Sequence, residues 1–167
     1  MARVRTIGFE AQAFGTTSER LTQNFDGHIT GAVTSSAAVA RLGIGRSIRC
    51  DSGAGNDVAK ALLCPDMFVQ DRGGYLRAYF YFDALPSSST TIMEALRFDD
   101  TPIVWAVLTT GGKLQLWCDN GGSPVQVGSD SAETVTTGAW HMVELHAKSN
   151  SSPDQCGMRL NGVEVAY

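Results

Sequence analysis

Thr137-Gly138-Ala139-Trp140-His141-Met142-Val143-Glu144-Leu145-His146 is followed, after a polar loop, by Met158-Arg159-Leu160-Asn161-Gly162-Val163-Glu164-Val165-Ala166. These two runs decide the fold. The first reads as a strand with alternating faces, with Trp140 and Met142 in the core. The second reads as a β-hairpin closed by Asn161-Gly162. Both central positions of a type I′ turn need positive φ, which Asn and Gly reach at least cost.

Upstream, residues 75–82 (Tyr-Leu-Arg-Ala-Tyr-Phe-Tyr-Phe) alternate strictly. Leu76, Ala78, Phe80 and Phe82 share one face, and Tyr75, Arg77, Tyr79 and Tyr81 the other, which is the period of a strand with one buried side. Residues 90–98 read as another strand, and 103–108 as a continuous apolar run. Gly111-Gly112 turns the chain into a strand at 113–118, and Asn120-Gly121-Gly122 with Pro124 leads to a short one at 125–127. In the N-terminal part, residues 4–10, 28–40 and 45–50 are weaker strand candidates. Short strands joined by Gly, Asn and Pro turns predict an all-β chain of two packed antiparallel sheets, with very little helix.

Composition agrees. The 167 residues include 18 glycines, and only 18% are charged. That is low for a chain of long helices, which carry more Glu and Lys. No linker or repeat divides the sequence, so residues 1–167 are expected to form one domain. The net charge of −4 argues against a nucleic-acid partner. No stretch reaches the roughly 18–20 apolar residues of a membrane span. The N-terminus lacks an apolar secretory core, so synthesis without a signal peptide is expected. Cys50, Cys64, Cys118 and Cys156 include no Cys-x-x-Cys pair and read as buried free thiols, although two disulfides are arithmetically open.

The order of residues 75–166 is an aromatic alternating strand, a Leu-Pro-Ser loop, further strands with Gly-Lys-Leu-Gln-Leu, then Gly-Ala-Trp and Leu-Asn-Gly-Val. This order resembles the laminin G-like and concanavalin A-like jelly rolls. The resemblance covers a little over half of the chain and implies a two-sheet antiparallel jelly-roll sandwich. Such domains occur as lectins, glucanases, adhesion modules and phage virion proteins. In the family a further strand follows the hairpin, whereas this sequence stops at Tyr167. The expectation is therefore a fragment, or a sheet edge completed by another segment or subunit. Together with the missing signal peptide, this resembles a tailed-phage virion protein.

Glucanases of this fold carry Glu-x-Asp-x-x-Glu on one strand, which brings two carboxylates within retaining distance. This sequence has no such run, and no Gly-x-Ser-x-Gly elbow. No enzymatic activity is expected, and glycoside hydrolysis ranks last among the readings. His141 and His146 fall on opposite faces of a strand, so His-x-x-Glu-x-His is no metal cluster. No cofactor is expected. The resemblance makes calcium the one ion to consider, with Asp99, Asp100 and Asp119 as loop ligands, although turns favour the same residues. The polar-aromatic positions Tyr75, Arg77, Tyr79, Tyr81, Gln115 and Trp117 are the candidate contact residues, since flat rings with polar tips suit both protein interfaces and sugars. The expected function is a non-catalytic structural or attachment module on a bacteriophage virion surface, in capsid decoration or tail. Its partners would be other virion proteins or copies of itself. The alternative is a carbohydrate-binding lectin module with glycans as ligands.

Overall fold

The computed structural model describes residues 29–30, 32–36, 47–51, 60–61, 74–96, 101–148 and 155–167. The chain divides into two compact units, Met1–Met67 and Phe68–Tyr167. In the first unit, β1 (Ile29–Thr30) pairs with β4 (Lys60–Ala61), and β2 (Ala32–Ser36) with β3 (Ser47–Asp51), both antiparallel. The strand expected at 45–50 is thus present as β3. The candidate strand at 4–10, His28, Cys64, Asp99 and Asp100 lie outside the described residues.

Among the described residues the second unit holds eight strands: β5 (Gly74–Tyr81), β6 (Thr90–Leu96), β7 (Pro102–Leu108), β8 (Leu114–Asp119), β9 (Pro124–Val127), β10 (Trp140–Lys148), β11 (Gln155–Leu160) and β12 (Val163–Ala166). They form two antiparallel sheets of four, ordered β12-β11-β10-β5 and β6-β7-β8-β9. The second sheet is a plain meander. The first is not, because β5 pairs with β10, far along the chain. No helix occurs among the described residues. The all-β expectation holds, and two four-stranded sheets sharing one core fit a sandwich.

That core follows from period two. Val104, Ala106 and Leu108 of β7 and Leu114 and Leu116 of β8 point inward, meeting Val143, Leu145 and Ala147 of β10 and Met158 and Leu160 of β11. Leu108, Leu114, Leu116 and Leu160 are 0% exposed, and burying each such side chain contributes about 1.5–3 kcal/mol. The loop after β9 adds Val135 to this core. Backbone bonds stitch the loop to β8 and its preceding turn: Ser131 N to Leu114 O (2.8 Å) and Val135 N to Gly112 O (2.8 Å). The buried Ser131 hydroxyl accepts from Leu114 N (3.0 Å) and donates to Glu133 O (2.6 Å). A serine so engaged is a strut of the loop.

The β11–β12 hairpin closes as the sequence predicts. Asn161 and Gly162 have φ of 52° and 88°. Asn161 does more than turn the chain. Its amide donates to Met142 O (2.8 Å), and its side-chain Oδ1 accepts from Met142 N (3.0 Å). The hairpin tip is thereby fastened to β10.

One sequence reading needs correction. Trp140 and Met142 do not point into the core. The inward positions of β10 are His141, Val143, Leu145 and Ala147, all buried, while Trp140, Met142, Glu144 and His146 alternate outward. The strand has one phase, and Val143 and Leu145 outweigh Trp140 in setting it. His141 enters the core margin because its ring is satisfied there. Its Nε2 lies 2.9 Å from Thr136 O and 3.1 Å from Thr136 N, and its Nδ1 lies 3.4 Å from the side-chain Nδ2 of Asn161. Cys118 is a half-buried free thiol, and Cys156 packs against the core.

Candidate functional site

The outward face of β5 and β10 is the most distinctive surface of the second unit. An unbroken register sets Tyr75 opposite His146, Arg77 opposite Glu144, Tyr79 opposite Met142 and Tyr81 opposite Trp140. Directly opposed residues of an antiparallel pair lie about 4.5–5.5 Å apart and interact as units. Here each pair does so differently.

At one end the Tyr75 and His146 rings stack with centroids 4.3 Å apart and 23° between planes. Tyr167 continues the stack on the other side of His146, at 5.9 Å and 6°. Room for Tyr167 comes from Gly157, the β11 partner of His146. A Cβ there would come within 2.7 Å of the Tyr167 ring. At the opposite end Tyr81 and Trp140 meet at 5.6 Å and 57°, a tilted contact. Offset and tilted pairs suit the quadrupoles of aromatic rings.

Between the aromatic ends lies a charged row. Arg77 donates to Glu144 Oε1 from Nε (2.8 Å) and Nη2 (2.5 Å). The hydrogen bond to Glu144, and then its charge, push the guanidinium pKa above its usual value. Arg159 stands beside Glu144 in the register, and Glu164 beside Arg159. Across the four strands the sign therefore alternates as Arg77, Glu144, Arg159, Glu164. Such a row carries no net charge and attracts neither a polyanion nor a polycation by long-range field. Three rings stand open on this face: Tyr75 is 55% exposed, Tyr167 70% and Tyr79 38%.

Gln115 and Trp117 do not belong to this face. They lie on the outward side of β8, in the other sheet. The inner faces of the two sheets share one core, so their outer faces point away from each other. The six residues singled out from the sequence are thus split, four on one surface and two on the opposite one. On that second surface Trp117 Nε1 donates to Gln115 Oε1 (3.1 Å), and Gln115 Nε2 donates to Asp130 Oδ1 (2.8 Å). Gln126 Nε2 donates to the same oxygen (3.1 Å). Trp105 pairs with Trp117 across the strands. Trp105 is hidden in the sequence because residues 103–108 look continuously apolar. The available signal was parity: Val104, Ala106 and Leu108 are buried, so Ile103, Trp105 and Val107 must face outward.

Asp119 spends one carboxylate oxygen on its own turn, accepting from Gly122 N (2.8 Å). Among the described residues no three His, Cys, Asp or Glu side chains are grouped to hold a metal ion. His141 and His146 occupy opposite sides of β10, as their five-residue spacing predicts. What the arrangement offers chemically is contact: flat rings, locally neutralised charge and amide groups held by hydrogen bonds. No family model matches the chain, and no curated protein or solved structure matches it.

Proposed function

We propose that this chain is a non-catalytic attachment module whose second unit is a jelly-roll sandwich, seated on a particle surface such as the capsid or tail of a bacteriophage. The observation that carries the reading is the β5–β10 outward face, where Tyr75, Tyr79 and Tyr167 stand exposed around the Arg77–Glu144 pair. Rings already ordered by stacking lose little freedom on binding, and an internally neutralised ion pair needs no counter-charge from the partner. The resemblance of residues 75–166 to jelly-roll domains supplies the particle context. Weak single contacts become firm when such modules are displayed in many copies.

Co-sedimentation of the labelled protein with purified tailed-phage particles tests the proposal. Binding is expected, and it should be lost in the double variant Tyr75→Ala/Tyr79→Ala with the fold intact by circular dichroism. A second reading, a carbohydrate-binding module, draws on the hydrogen-bonded chain of Trp117, Gln115, Asp130 and Gln126, since an ordered ring with adjacent amides suits a sugar. A polysaccharide panel separates the two readings. Binding lost in Trp117→Ala, but kept in the double tyrosine variant, would replace the first reading with the second.

A further inference from the structure

We infer that the outward face of the β12-β11-β10-β5 sheet docks on the same face of a second copy, about a twofold axis running parallel to the strands between β10 and β11. The inference rests on the reading of this face as a contact surface and names one partner for it, another copy of this chain.

The charged row selects that partner. Register places Arg77, Glu144, Arg159 and Glu164 side by side, one on each of β5, β10, β11 and β12. Neighbouring strands lie about 4.8 Å apart, so the row is about 14 Å long. Arg159 and Glu164 are exposed, and the Arg77 side chain is 60% exposed, against 19% for Glu144. A row of alternating sign matches its own reversed copy. A twofold axis along the strands reverses the order, so Arg77 faces Glu164 of the other copy and Glu144 faces Arg159, each pair occurring twice by symmetry. The other twofold axis in the plane of the face, along the row, keeps the order. It would set Arg77 against Arg77 and Glu144 against Glu144, and like charges so opposed exclude that arrangement. One orientation remains, in which the strands of both copies run the same way.

The rows on either side add contact without adding charge of one sign. One holds the Tyr75–His146–Tyr167 stack, whose two tyrosines are 55% and 70% exposed, and the other holds Tyr79 and Met142. Four strands by the length of residues 75–81 give a flat area of roughly 400 Å² per copy, below the roughly 800 Å² per partner of a standard interface. The dimer is therefore weak and reversible, and it leaves the face free for a particle at low concentration.

Sedimentation equilibrium of the full chain, from about ten micromolar to about one millimolar, tests this by charge reversal at the two ends of the row. Glu164→Arg opposes Arg77 of the other copy with a like charge, twice by symmetry, and Arg77→Glu does the same to Glu164. Each variant alone should raise the dimer dissociation constant at least about ten-fold. Mixed in equal amounts, the two variants meet opposite signs at all four positions and should form a mixed dimer with nearly native affinity. Circular dichroism checks that both are folded. Should Arg77→Glu, which also opposes Glu144, fail that check, affinity falling in the order native, Glu164→Gln, Glu164→Arg serves in its place. A native protein that stays monomeric throughout the range overturns the inference. So do variants that dimerise like the native chain, or folded variants whose mixture fails to restore the dimer. A native monomer that binds particles would overturn this inference alone, and a native dimer that binds none would overturn the attachment reading alone.

Discussion

Two glycines of the second unit make the same close approach but should respond very differently to alanine. At Gly112 an added Cβ would lie 2.6 Å from Val135 O, and at Gly157 it would lie 2.7 Å from Tyr167 Cδ2. Distance alone predicts equal damage, but the neighbours differ. Val135 is 1% exposed, and its amide donates to Gly112 O, so its carbonyl cannot retreat without breaking that bond and disturbing the core. Gly112 also has φ of 76°, where an L residue carries about 1–2 kcal/mol of strain. Forced packing adds about 1–3 kcal/mol, so Gly112→Ala should cost roughly 2–5 kcal/mol. Tyr167, in contrast, is 70% exposed and can swing away. Gly157→Ala then loses an aromatic contact of about 0.5–1.5 kcal/mol. It regains about 0.4–1 kcal/mol from the less flexible unfolded chain, for a net change within about 1 kcal/mol. Urea denaturation followed by tryptophan fluorescence measures both. Equal losses, or a larger loss at Gly157, would refute the reasoning that the mobility of the neighbour decides the cost.

Two further outcomes are expected. Asn161→Gly should keep the turn but lose the side-chain bonds to Met142, Glu133 and His141, about 1–3 kcal/mol. Asn161→Ala should lose the same bonds and also strain the positive-φ turn, so its denaturation midpoint should fall further below that of Asn161→Gly. Leu116→Ala, at a fully buried position between the sheets, should cost about 2–5 kcal/mol in the same assay, and a cost below about 1 kcal/mol would mean the core closes over the gap.

What was legible in the sequence was what local periodicity encodes. Asn161-Gly162 announced its turn, because few dipeptides reach positive φ twice at low cost. The faces of residues 75–82 were visible from alternation alone, and β5 keeps them. Trp140 is hard to place from sequence because the size of its ring argues for the core, while its parity with Glu144 and His146 puts it outside. Trp105 was overlooked because an unbroken apolar run hides its phase until the neighbouring strand is known. The partition of the contact residues was beyond local reading altogether. Tyr75 and Trp117 both sit on polar-aromatic faces, but only the pairing of β5 with β10, and of β8 with β7, puts those faces on opposite sides. Strand order depends on contacts between residues distant in sequence, and alternation carries no record of them.

The same two strands carry both the core and the aromatic face, with period two keeping the functions apart. Val143 and Leu145 face inward and hold the sheets together, while Glu144 and His146, their immediate neighbours, face outward and order Arg77 and Tyr75. A side chain on the outer face can therefore change without opening a cavity, because its backbone stays anchored by the inner residues on either side. Tyr75 and Tyr79 lie on the outer face, so cutting them to alanine opens no cavity in the core, and circular dichroism separates a loss of binding from unfolding. Arg77 is the exception worth noting, since Glu144 is mostly covered and loses its charge partner if Arg77 is removed. The tyrosines are thus the better probes of contact, and Arg77 the better probe of how the face is held in order. A surface whose recognition and support can be separated residue by residue suits an attachment module, where partners vary and the scaffold must not.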